Sequence, residues 1–140
     1  MFNTFKPYKA KNLLLKKAEQ SIETGFVIVN VYTALGAIPI SNAEVSVYTW
    51  TEENGRNLIK TVYTDISGKA PRIELPVLFE GNETRAEYQL AVIVEGYHTT
   101  IVINVKIYPD ITTQFSINLT PVPGNGKSID KTIIIPDIIN

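Results

Sequence analysis

Between residues 26 and 119 the sequence alternates apolar and polar residues, turn after turn, and this alternation limits the fold more than any other feature. Val27, Val29 and Val31 share one parity, as do Ala43, Val45 and Val47. A third segment runs from Leu58 to Thr64, and Ile73, Leu75 and Val77 mark a fourth. Tyr88, Leu90, Val92 and Val94 mark a fifth, Ile101, Ile103, Val105 and Ile107 a sixth, and Phe115, Ile117 and Leu119 a seventh. A period of two places one face of each strand in a core. The connectors Leu35 to Pro39, Glu53-Asn54-Gly55, Ser67-Gly68, Gly81-Asn82, Glu95-Gly96 and Pro109-Asp110 carry turn residues. Crossover helices, which a parallel α/β sheet needs, are missing from the pattern. The expected fold is therefore all-β, a seven-stranded antiparallel sandwich. Its expected core is Val27, Val29, Val31, Val45, Val47, Leu90, Val92, Ile103, Val105, Ile117 and Leu119.

The flanks read differently and divide the chain into residues 1–24, 25–120 and 121–140. From Ala10 to Glu23, the residues Ala10, Leu13, Leu14, Ala18 and Ile22 fall near helical spacing, which predicts a short helix or arm. Lys6, Lys9, Lys11, Lys16 and Lys17 make that arm basic, either as a solvated face or as a dock for an acidic neighbour. After Leu119, Pro121 to Lys127 reads as a linker. An apolar tail follows it, containing Ile133, Ile134, Ile135, Ile138 and Ile139. Apolar on both parities, that tail is expected to add as a strand to a neighbouring subunit's sheet, or to fold back on its own domain.

Residues 25 to 121 resemble the carboxypeptidase regulatory-like domains. The resemblance rests on Val31 to Ile40 (VYTALGAIPI), Asn42-Ala43-Glu44-Val45, Thr64-Asp65-Ile66-Ser67-Gly68-Lys69, Val94-Glu95-Gly96-Tyr97 and Phe115 to Leu119. It implies a transthyretin-like fold, similar to the β-sandwich module of clostridial spore cortex-lytic enzymes and related Firmicute proteins. In that pattern Pro39 presets a loop, Asp65 accepts local N–H bonds, and Gly68 takes a positive φ.

Catalytic constellations are not visible in the sequence. There is no cysteine, which removes disulfides and thiolate zinc sites. The single histidine, His98, has no Gly-x-Ser-x-Gly partner motif and reads as a strand-start surface residue. The hydroxyisourate hydrolases resemble this chain in fold only, because they use several histidines and a C-terminal Tyr-Arg-Gly-Ser. Asp65, Asp110, Glu52 and Glu53 lack the dense oxygen spacing of a calcium site. No cofactor and no enzymatic activity are expected. The net charge of −1 gives no field for nucleic acid. No run reaches the ~20 apolar residues of a membrane span. The N-terminus lacks a signal-peptide core, so synthesis in the cytoplasm is expected.

What remains is surface. Charged residues are only 19% of the chain, a low share for a domain that exposes all its surface. The outward parity carries Phe26, Ile28 and Tyr32 on the first strand and Tyr48 and Trp50 on the second, with Tyr63 joining from the third. These six form the expected interface or ligand platform. Two readings stay open. One is a non-catalytic assembly subunit that packs with itself or other assembly proteins in a spore, envelope or phage-like particle or filament. The other is a module that binds peptidoglycan or another polysaccharide.

Overall fold

The computed structural model describes residues 23–78 and 86–136. There the alternating segments become β1 (Thr24–Thr33), β2 (Ile38–Pro39), β3 (Glu44–Thr51), β4 (Gly55–Tyr63) and β5 (Ile73–Pro76). They continue as β6 (Ala86–Ile93), β7 (Thr99–Val105), β8 (Thr112–Leu119) and β9 (Asp130–Ile134). The described residues contain no helix. The helix expected over residues 10–23 falls almost wholly outside them, as do the five lysines of the basic arm and Ile138 and Ile139.

Two sheets form a sandwich. In the four-stranded sheet β1 is central, with β8 on one edge and β5 and the short β2 along the other. The five-stranded sheet has the order β4-β3-β6-β7-β9. Facing valines fill the space between them. Val27, Val29, Val31, Ile73, Leu75, Ile117 and Leu119 come from one sheet, and Val45, Val47, Leu90, Val92, Val102 and Val105 from the other, all buried. Each such side chain contributes roughly 1.5–3 kcal/mol on leaving water.

Three expectations need correction. The sandwich is not purely antiparallel: β8 runs parallel to β1, and β9 runs parallel to β7. Parallel neighbours need a long connection between them. Most of the five-stranded sheet separates β1 from β8 in sequence, and β8 with the linker separates β7 from β9. The strands described number nine rather than seven, because β2 and β9 were not counted. Lastly, Ile103 is only half-buried, and Val102 takes the core position. Tyr88 pairs with Val105 but Leu90 pairs with Val102, so β7 carries an extra residue at this point. Asn104, with φ of 63°, absorbs it. The resulting bulge flips the parity, and Val105 returns to the core.

Local chemistry locks the corners. Asp65 Oδ1 accepts the backbone N–H groups of Ser67 at 2.8 Å and Lys69 at 3.0 Å. Gly68 has φ of +79°, and a Cβ there would lie 2.5 Å from the Val31 carbonyl oxygen and 3.0 Å from Pro39 Cβ. This turn thus packs its backbone against β1 and Pro39, a contact only glycine permits. The Thr64 hydroxyl accepts the Ala43 N–H at 2.8 Å and donates to the Ile40 carbonyl at 2.6 Å.

Candidate functional site

The six residues expected to share one platform divide between the two outer faces of the sandwich. Phe26, Ile28 and Tyr32 belong to β1 and face outward from the four-stranded sheet. Tyr48 and Trp50 on β3 and Tyr63 on β4 face outward from the five-stranded sheet. Their common parity was legible, but alternation says nothing about which sheet a strand joins. The single aromatic platform is therefore replaced by two surfaces on opposite sides of the molecule.

On the five-stranded sheet the outward rows follow from the pairing. Glu44 faces Tyr63 and Ile93; Ser46 faces Thr61 and Ala91; Tyr48 faces Leu58 and Gln89; Trp50 faces Arg56 and Glu87. Ala91 then faces Ile101, and Ile103 faces Ile134. Exposed apolar side chains stand toward its margins, with Leu58 60%, Tyr63 56% and Ile134 65% exposed, while the middle rows hold Ser46, Ala91, Glu87 and Gln89, all buried. The Arg56 guanidinium sits 4.3 Å from the centre of the Tyr48 ring, a cation–π contact. No described strand covers this face.

The outer edges of β4 and β9 are open among the described strands. This is where the tail lies. Residues 130–134 add to β7 of their own chain, and the Ile135 N–H donates to the Ile103 carbonyl at 3.2 Å. Of the two expected arrangements, addition to a neighbour's sheet and folding back on its own domain, the single chain shows the second. A ten-residue connection after Leu119 keeps the β7 edge within reach at a high effective concentration. Ile133 and Ile134 both remain exposed, and Ile135 packs against the core. His98 helps to hold this arrangement. Its Nδ1 accepts the Ile129 N–H at 3.1 Å, and its own N–H donates to the Thr120 carbonyl at 2.9 Å.

On the opposite side, β1 and β8 pair row by row. Phe26 lies beside Thr112, Ile28 beside Gln114, Asn30 beside Ser116 and Tyr32 beside Asn118. The Arg72 guanidinium covers the Phe26 ring at 4.0 Å. Asn118 Oδ1 accepts the Gly36 N–H at 2.9 Å.

A cleft of about 280 Å³ opens where Val77, Leu78, Glu87, Tyr88, Lys106 and Tyr108 meet. Its wall carries one carboxylate and one ammonium. Glu87 Oε2 already accepts the Asn104 N–H at 2.9 Å and the Gln89 amide at 3.2 Å. The Tyr88 hydroxyl donates to the Pro76 carbonyl at 2.6 Å, and burial pushes its pKa up from 10.0 to about 12. A phenol so held stays protonated and is a poor acid. None of the described lining residues is a serine or a histidine, so they form no hydroxyl–imidazole pair.

No protein family and no curated protein matches the chain. Solved structures do. The Bacillus anthracis TIE protein superposes with a TM-score of 0.51 at 15% identity, over 71% of this chain and 18% of that one. Catechol 1,2-dioxygenase from Acinetobacter superposes with a TM-score of 0.53 at 13% identity, over 84% of this chain and 60% of that one. For 3-chlorocatechol 1,2-dioxygenase from Rhodococcus opacus the values are 0.50 and 15%, over 73% and 61%. The likeness is one of fold. The chain spans less than two thirds of the length of each of these proteins.

Among the described residues no three histidine, cysteine, aspartate or glutamate side chains gather into a metal-binding group. No described helix is long and apolar enough to cross a membrane. Sequence reasoning missed Asn30 and the Glu87–Asn104 pair. Asn30 had a visible signal, because it is the one amide in the outward series Phe26, Ile28, Asn30, Tyr32. Glu87 had none, since its partner depends on a bulge.

Proposed function

We propose that this chain is a non-catalytic assembly subunit that self-associates through its five-stranded sheet. The observation that carries this reading is the set of exposed apolar side chains toward the margins of that sheet's outer face: Leu58 and Tyr63 on β4, Ile93 on β6 and Ile134 on β9. Large apolar side chains exposed beside open strand edges favour contact with another sheet. The edges add to the argument. β4 opposes β3, β3 opposes β6, β6 opposes β7, and β9 runs with β7. Hence β4 and β9 run in opposite senses, and sheets joined head to tail pair them antiparallel. The two contact surfaces differ, so the contact repeats into a ring or an open filament.

We read the domain as carboxypeptidase regulatory-like and transthyretin-like. Support comes from the Asp65–Gly68 turn seated on β1 and Pro39, which gives the motif residues a mechanical role.

Light scattering on the native full-length chain, followed through dilution, tests the assembly. The expected result is a mass above one chain that falls with dilution. Leu58→Lys and Tyr63→Lys should lower it, and Trp50→Ala should weaken association by ~2 kcal/mol if Trp50 is an anchor. A single-chain mass at every concentration overturns the reading.

A further inference from the structure

The tail strand β9 is attached mainly through its backbone. Its ladder to β7 is parallel, the less stable of the two pairings per residue. Ile133 has the inward parity of its neighbour Val102, yet Ile133 is exposed while Val102 is buried. β9 therefore overhangs the four-stranded sheet, and none of its five side chains is buried.

The side-chain contacts around it share one property. Ser128 Oγ donates to the Tyr97 carbonyl at 3.3 Å, and Lys131 Nζ to Thr120 Oγ1 at 3.1 Å. The Ile129 N–H donates to His98 Nδ1, and the Asn104 amide to the Ile135 carbonyl. In each bond one partner belongs to the tail and the other to the sandwich. A second copy of the sandwich offers the same β7 edge and the same four groups, so its seat fits this tail bond for bond.

The connection also has length to spare. The chain is held as far as Val122, whose N–H donates to the Gly96 carbonyl at 2.9 Å. A turn follows, closed by the Gly126 N–H on the Pro123 carbonyl at 2.8 Å. Drawn straight, residues 123–129 span about 23 Å, twice the ~10 Å between two packed sheets. Opening that one turn gives β9 reach beyond its own sandwich.

We propose that β9 is an exchangeable strand, which in the assembly leaves its own β7 and seats on the β7 edge of a second copy of this chain. Residues 123–129 are the hinge. In dilute solution the tether favours the chain's own edge. Where copies are packed together, the same bonds form between chains and no contact is lost. Reciprocal exchange closes a dimer, and one-way exchange continues into a ring or filament. The exchange rests on the self-association proposed above, which brings a second seat within reach.

Because the chain has no cysteine, introduced pairs report which copy a strand sits on. Ile101 faces Thr132 across β7 and β9. Neighbouring strands lie ~4.8 Å apart, a separation that a disulfide accepts. Full-length Ile101→Cys and Thr132→Cys are mixed at an assembling concentration and treated with oxidised glutathione, and the linked peptides are identified by mass spectrometry. Each chain then carries one cysteine, so a 101–132 bond forms only between copies. Gln114→Cys, on the other sheet, replaces Ile101→Cys in the control. The 101–132 bond should exceed the 114–132 bond about tenfold, because a seated strand holds its cysteine at high effective concentration. With both cysteines in one chain, oxidation in dilute solution should form the bond within that chain and so verify the geometry. Ile103→Cys with Ile134→Cys replaces the pair if it does not. The chain locked in this way should lose most of its assembled mass in light scattering and regain it on reduction. Exchange is overturned if the 101–132 bond between copies stays at the control level, or if the locked chain assembles as fully as the reduced one. In both cases a parental mass above one chain leaves the self-association standing. A single-chain mass for the parent at every concentration overturns both.

Discussion

Glu87 Oε2 accepts the backbone N–H of Asn104 at 2.9 Å, and both residues are buried. This bond spans β6 and β7 at the bulge that returns Val105 to the core. Asn104 passes the connection on, since its amide donates to the Ile135 carbonyl. One carboxylate therefore supports both the bulge and the anchorage of the tail. Glu87→Ala leaves a buried N–H without this acceptor and should cost about 1–3 kcal/mol. Glu87→Gln keeps a carbonyl oxygen in place and should cost less. Urea unfolding midpoints measure both, and a parental midpoint for Glu87→Ala would remove the carboxylate from this role.

The same pair shows what the sequence could and could not reveal. Seven strands were visible because Val27, Val29 and Val31, and their counterparts, obey period two. The sixth was assigned the wrong inward face over Ile101 and Ile103 alone, because Ile101, Ile103, Val105 and Ile107 alternate without a break while the backbone does not; Val105 and Ile107 are in the core as expected. Only the positive φ of Asn104 resets it, and nothing in the alternation marks that position. Sheet membership was equally hidden. Tyr32 and Tyr48 look alike in sequence but sit on opposite faces, because β1 and β3 pair with different strands. The orphan amide of Asn30 depended on its neighbours in space, which sequence separation conceals.

His98 ties the linker to the start of β7. His98→Ala removes the acceptor for the Ile129 N–H, an exposed bond, and leaves the core untouched. The expected outcome is faster hydrogen exchange over residues 129–135, with global stability changed by less than about 1 kcal/mol. Exchange rates equal to the parent's would show that the tail is held without this bond.

Tyr88 predicts an alkaline limit. Burial raises its pKa from 10.0 to about 12. In the unfolded chain the phenol ionises near 10, while in the folded chain it stays protonated and bonded to Pro76. Its contribution is fully present below pH 10 and is lost as pH rises through 12. The loss is on the order of 2 kcal/mol. Tyr88→Phe should give up about 1 kcal/mol at neutral pH with the Pro76 bond. It should also remove this part of the decline between pH 10 and 12. Parallel pH curves for parent and variant would refute the assignment.

Truncation after Lys127 tests how the tail serves the domain. No buried hydrophobic side chain among the described residues lies beyond Leu119. All five residues of β9 are exposed, and the strand is held by its ladder to β7, the His98 bond and the Asn104 bond. Ile135 adds a contact with the core. Removing these should lower the unfolding free energy by a few kcal/mol while leaving a cooperative transition, because the sandwich retains its complete valine layer. It should also strip Ile134 and the β9 edge from the assembly face and so lower the native mass toward that of one chain. An unfolded product would mean that β9 is integral to the core sheet. A folded product that assembles as fully as the parent would place the contact elsewhere, with β4 and the Tyr48–Trp50 rows the first to test.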